Sequence, residues 1–153
     1  MKRKVVTVLA AFAVFMSLTS SAFARPALPE PDSASNPNIF YGVGDYFTGT
    51  FANFDDIDYF QWTNDTGSAR TVFLYFWQPN YTTLNYGINS VGISGGSAPG
   101  ASTRLWSANG RENWQLYVPA GAKVTVTTRS YTYSGTDPSV PYELLLNSGY
   151  TPQ

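Results

Sequence analysis

The stretch Asn53-Phe54-Asp55-Asp56-Ile57-Asp58-Tyr59-Phe60-Gln61-Trp62 sets three carboxylates within four positions and then runs into three aromatic rings. In an extended chain successive side chains point to opposite faces, so Asp58, Phe60 and Trp62 share one side and Ile57, Tyr59 and Gln61 the other. That period of two predicts a strand over 57–64 with Phe60 and Trp62 as core anchors. Burying each ring removes about 150–250 Å² from water. The acids in front of the strand have two readings: a solvated turn that opens it, or half of a cation site.

Working outward, short runs rich in Val, Tyr, Phe, Trp and Thr recur between Gly, Asn, Asp and Pro, and helical periodicity is missing. This is the pattern of an all-β sandwich or barrel. Strands are expected near 43–51, 57–64, 69–77, 84–94, 102–108, 113–118, 122–132 and 141–147. Residues 71–77, TVFLYFW, are apolar on both faces. Such a strand is central and covered on two sides, or one of its sides forms a contact surface. Pro119-Ala120-Gly121 reads as a hairpin turn joining Trp114, Leu116 and Val118 to Val124 and Val126. Asn109-Gly110-Arg111-Glu112-Asn113 reads as an ordinary solvated turn.

The first residues carry a different signal. Lys2-Arg3-Lys4 precedes an almost unbroken apolar run from Val5 to Leu18, and Ala22-Phe23-Ala24 fits a small-x-small cleavage site. Residues 1–24 are therefore expected to be a secretory signal peptide and the protein to be secreted. No membrane span is expected after cleavage, since roughly 20 apolar residues are needed to cross. Residues 25–40, with Pro26, Pro29, Pro31 and Pro37, read as an extended arm. Residues 41–153 read as the sandwich.

Three of the nine basic residues lie in the leader and all ten acids lie beyond it, so six cations face ten anions, a net charge of −4. Nucleic acid is excluded as a partner, because neutralising phosphates takes clustered Lys and Arg. Beyond the leader there is no Met, Cys or His. Thiol and imidazole nucleophile chemistry is therefore absent, and Lys123, the one lysine left, has no S-x-x-K motif beside it. The expected class is not an enzyme.

Gly49-Thr50-Phe51 followed by Asp56-Ile57-Asp58-Tyr59-Phe60 resembles the G-T-apolar, D-x-D-aromatic-aromatic signature of bacterial pre-peptidase C-terminal domains, the family related to the collagen-binding domains of bacterial collagenases. Glu30-Pro31-Asp32-Ser33-Ala34 is similar to that family's acidic arm, Val118-Pro119-Ala120-Gly121 to its late hairpin, and Pro141-Tyr142-Glu143-Leu144 to its closing strand. Leu84-Asn85-Tyr86-Gly87-Ile88 departs from the family's central D-x-D-x-aromatic strand. The resemblance implies a single antiparallel β-sandwich of jelly-roll type, a non-catalytic accessory module of secreted hydrolases. It also implies calcium, bridging arm and turn through Glu30, Asp32, Asp56 and Asp58 with Asp55 as a substitute. The plainer alternative keeps these as structural turn acids, Asp58 facing inward.

Eleven tyrosines are too many for one small core to bury with every hydroxyl satisfied. Tyr81, Tyr86, Tyr131 and Tyr133 lie near predicted loops. They are the candidates for a patch that stacks on sugars or packs on protein fibres, against the plain alternative that tyrosine suits strands. The expected function is adhesion to an extracellular polymer, matrix protein or polysaccharide. The alternative is a structural or interaction protein of an envelope or biofilm matrix, or an inhibitor or accessory partner of a secreted hydrolase.

Overall fold

The computed structural model describes residues 25–26, 32–79, 84–131 and 135–150. The leader at 1–24, Glu30, Tyr81 and Tyr133 lie outside the described residues. Among the described residues ten strands are present: β1 (Arg25–Pro26), β2 (Asn38–Ile39), β3 (Tyr46–Gly49), β4 (Ile57–Thr63), β5 (Arg70–Trp77), β6 (Tyr86–Gly95), β7 (Ala101–Ala108), β8 (Arg111–Val118), β9 (Ala122–Ser130) and β10 (Tyr142–Asn147). They form a six-stranded sheet in the order β1-β3-β10-β5-β8-β7 and a four-stranded sheet in the order β2-β4-β9-β6. From β3 to β7 successive strands alternate between the sheets, the wrapping of a jelly-roll sandwich.

The eight expected strands are all present, and the alternation that predicted them also builds the core. Phe60 and Trp62 of β4, Val72, Leu74 and Phe76 of β5, Leu116 and Val118 of β8, Val124 and Val126 of β9, and Leu144 and Leu146 of β10 are buried between the layers. Each such side chain contributes about 1.5–3 kcal/mol of transfer free energy. Phe40, Phe47 and Phe60 form one ring cluster, with centroids 5.0–6.0 Å apart. Phe51, Phe76 and Tyr142 form a second, Tyr142 stacking at 4.8 Å on Phe51 and 5.3 Å on Phe76. The second cluster rests on a glycine: a Cβ at Gly49 would come within 2.5 Å of the Tyr142 hydroxyl.

Two expectations need correction, and one open alternative is decided. The segment before residue 41 is more than an extended linker, since β1 pairs parallel with β3 and β2 parallel with β4, adding a strand to an edge of each sheet. These parallel pairs flank an otherwise antiparallel body. The Pro119-Ala120-Gly121 turn is not a hairpin: β8 and β9 belong to different sheets, so it arches across the core and sets Leu116 and Val118 opposite Val124 and Val126. Gly121 makes the arch with φ at 76°. The hairpin in this region is β7–β8, closed by Asn109 and Gly110 at φ 55° and 71°, the left-handed pair that a tight two-residue connection favours. Finally, β5 is central in its sheet, yet only its inner face is sealed. Phe73, Tyr75 and Trp77 on the outer face are half-buried.

Candidate functional site

Where the arm meets the start of β4, Asp32, Ala52, Asn53, Asp55, Asp56, Ile57 and Tyr59 line an open groove of about 510 Å³. The arm is stitched there by one carboxylate oxygen. Asp32 Oδ2 accepts hydrogen bonds from the Tyr59 backbone N–H at 2.8 Å and from Asn38 Nδ2 at 2.8 Å. Asn38 Nδ2 also reaches the Tyr59 carbonyl at 3.2 Å. On the other wall the 50–56 loop is ordered by its own acids and amides: Asp56 Oδ2 accepts from the Ala52 N–H at 2.7 Å and Asn53 Oδ1 from the Asp55 N–H at 2.9 Å.

Asp32 is only 7% exposed, and its second oxygen, Oδ1, is buried without a hydrogen-bond partner. An orphaned buried carboxylate oxygen is costly unless something pairs with it. Burial pushes the Asp32 carboxyl above its ordinary range; the Tyr59 N–H opposes this, the Asp56 charge adds to it, and Asn38 opposes it. A cation here would relieve both the orphaned oxygen and the repulsion. Calcium takes six to eight oxygens, and among the described residues no group of three or more acids is close enough to hold a metal. Asp32 and Asp56 thus fit as part of a shell that needs amide, carbonyl or water oxygens to complete it.

Asp58 does not belong to that set. It shares the inward face with Phe60 and Trp62, is buried, and its Oδ2 accepts a hydrogen bond from the Tyr142 hydroxyl. Thr128 Oγ1 donates to the same hydroxyl at 3.2 Å.

The tyrosine candidates also separate. Tyr86 is no surface residue: it packs edge-on against Phe51 at 4.8 Å, and its hydroxyl accepts the Asp137 N–H at 2.7 Å. Tyr131 keeps an exposed ring, 44% accessible, with its hydroxyl donating to the Ile88 carbonyl at 2.6 Å. Asn64-Asp65-Thr66 matches a glycosylation sequon, but Asn64 is fully buried with Nδ2 on the Ser68, Val118 and Pro119 carbonyls. That side chain is closed to modification in the folded protein.

Sequence reasoning missed one feature and saw only part of another. Glu112, expected in a solvated turn, is 5% exposed; its Oε1 accepts the Ile88 N–H at 3.1 Å and its Oε2 the Trp114 indole at 3.0 Å. Parity was the missed signal, because Glu112 lies on the same strand face as Trp114, Leu116 and Val118. The second is the outer face of the six-stranded sheet. Register aligns Tyr46, Leu145, Tyr75, Asn113 and Trp106 in one row across β3, β10, β5, β8 and β7. Tyr75 and Trp106 meet edge-to-face at 6.4 Å, Phe73 and Tyr150 at 6.3 Å, and the Trp106 indole donates to the Tyr150 hydroxyl at 2.9 Å.

The class these features define is a two-layer β-sandwich whose arm is tied to an acidic turn and whose wider sheet shows an aromatic outer face. Neither a family model nor a curated protein sequence matches the chain. Among solved structures it is similar to the pre-peptidase C-terminal domain of a collagenase from Bacillus anthracis, at 12% identity and a TM-score of 0.50, over 78% of this chain and 100% of that domain. At that identity the likeness is one of fold, and it bears out the fold resemblance read from the sequence. Among the described residues no helix is long and apolar enough to cross a membrane.

Proposed function

We propose that this protein is a secreted, non-catalytic module that adheres to an extracellular polymer, matrix protein or polysaccharide, through the outer face of its six-stranded sheet. The observation that carries the reading is the row of half-buried rings, Phe73, Tyr75, Trp77 and Trp106, on a face that the second sheet does not cover. Aromatic rings held on a sheet offer a large contact area at small conformational cost. Calcium is the cofactor of this proposal, with Asp32 and Asp56 among its ligands, and its work is to lock the arm against the acidic turn rather than to react. Pull-down of the protein on insoluble collagen, chitin, cellulose and cell wall tests adhesion. Retention on at least one is expected, and absence from every pellet removes the reading.

A second reading, an interaction protein that associates by strand addition, is favoured by β7. It is the edge of its sheet and seven of its eight residues are exposed. An open edge is a template for another strand. A large species in size exclusion that Leu105→Lys dissolves would support it.

A further inference from the structure

At the end of the sandwich where β7 turns into β8 lies a second, polar pocket of about 280 Å³, lined in part by Arg104, Ser107, Asn109, Arg111, Glu112 and Tyr131. Two of the six described cations, Arg104 and Arg111, face it in a chain whose acids outnumber its bases beyond the leader. The pocket is built rather than incidental. Glu112, buried between the sheets, takes the Ile88 N–H with one oxygen and fixes the Trp114 indole with the other. The Arg104 guanidinium lies over that indole, 5.7 Å from the ring centroid. Tyr131 is pinned through its hydroxyl to Ile88, leaving its exposed ring as a flat wall. Arg104 favours the ionised form of Glu112 on the pocket's inner wall, and Arg111, exposed at the same pocket, adds a second cation, so two positive charges there face one negative charge. A planar guanidinium matches a carboxylate in a two-point contact.

We propose that this pocket binds a carboxylate-bearing sugar, one hexuronate unit of an acidic polysaccharide. Arg104 and Arg111 hold the carboxylate, Tyr131 lies against the ring, and Ser107 and Asn109 receive ring hydroxyls. The volume is near the lower bound of ligand pockets and suits one sugar unit rather than several. This deepens the adhesion proposal by naming the chemistry of the polymer, and it rests on the reading that the protein is an extracellular polymer binder.

Calorimetric titration of the full chain with oligogalacturonate tests it, beside its fully methyl-esterified form and poly-glutamate. The acid oligomer is expected to bind, the ester and the peptide to bind at least tenfold more weakly, and Arg104→Gln and Arg111→Gln each to weaken binding about tenfold or more. Both arginines are exposed, so circular dichroism should show each variant folded. No heat with the acid oligomer, equal binding by the ester or by poly-glutamate, or undiminished binding in both variants overturns the proposal. Retention on neutral chitin or cellulose without affinity for oligogalacturonate removes this pocket and leaves outer-face adhesion standing. Affinity for oligogalacturonate in a chain retained on none of the insoluble matrices upholds the pocket and removes the outer face.

Discussion

The Tyr142 hydroxyl donates its proton to the carboxylate of Asp58 across the middle of the sandwich, joining the last strand of one sheet to the first long strand of the other. Burial, and then the Asp58 charge, hold the phenol well above its usual pKa, so it remains a donor throughout the ordinary pH range. Tyr142→Phe deletes the donor and keeps the ring stack. A loss of about 3 kcal/mol is expected, because a buried carboxylate forfeits a charge-assisted partner. Asp58→Asn keeps an acceptor and should cost less. Urea denaturation checks the order, and a Tyr142→Phe midpoint equal to wild type would refute it.

Gly49 sits opposite Tyr142 in the ladder, and the ring fills the space a side chain would take. Gly49→Ala is expected to push the ring off Phe51 and Phe76 and cost several kcal/mol, on the order of a severe core change. Thermal melting reads it. Gly42→Ala serves as the control, because a methyl group there would meet nothing within 4 Å.

Asp32 is held above the ordinary Asp range, so the folded chain binds its proton more tightly than the unfolded chain does. Stability from this group is greatest in acid and declines as pH rises through the ordinary Asp value, about 3.9, towards the raised one. Asp32→Asn keeps an acceptor for Tyr59 and Asn38 and removes the charge facing Asp56. In chelator, at neutral pH, the variant should melt higher; a gain of about 1 kcal/mol is roughly 4 °C in a domain of this size. Millimolar calcium should raise the wild-type melting temperature and leave the variant unmoved. If calcium moves both alike, or neither, the cation does not sit on Asp32.

Glu112 is also held above the usual carboxyl range, chiefly by burial, with Trp114, Ile88 and Arg104 opposing. Its contribution therefore falls as pH rises from about 4.3. Glu112→Gln removes that fall but turns an N–H toward the Ile88 amide or the Trp114 indole, costing about 1–2 kcal/mol. The deficit of the variant should be widest in acid and shrink toward neutrality. Urea midpoints collected from acid to neutral pH decide it; a constant deficit would contradict the sign.

How much was legible follows from what alternation encodes. A period of two locates strands and inward residues, which is why Phe60, Trp62, Leu116 and Val124 fall where expected; the same parity favours the inward alternative for Asp58 and, carried one step further back along β8, would have put Glu112 inside instead of in a solvated turn. Alternation does not say which sheet a strand joins. Pro119-Ala120-Gly121 serves equally a hairpin, whose arms bond side by side, and an arch, whose arms face across a core, and only the long-range partners β5 and β4 decide. The pairing of β2 with β4 was hidden for the same reason: two residues carry no period, and the bonds that hold the arm come from Asp32 and Asn38, residues as common in loops. The outer row of rings was half visible in TVFLYFW, but its partner Trp106 is brought in by register across two further strands.

The parallel pairing of β1 with β3 brings the first described strand to the same edge of the wider sheet as the last. Arg25 lies beside Phe47, which lies beside Leu144, so the first and last described strands run two strand spacings, about 10 Å, apart at that register. The acidic groove, the Trp77 end of the aromatic face and the arginine pocket lie at one pole, where β3 stops and β4, β6 and β8 begin. Beyond Asn147 the chain brings Tyr150 back over the outer face, its ring against Phe73 and its hydroxyl on the Trp106 indole, so the protein's own tail shades part of the aromatic surface.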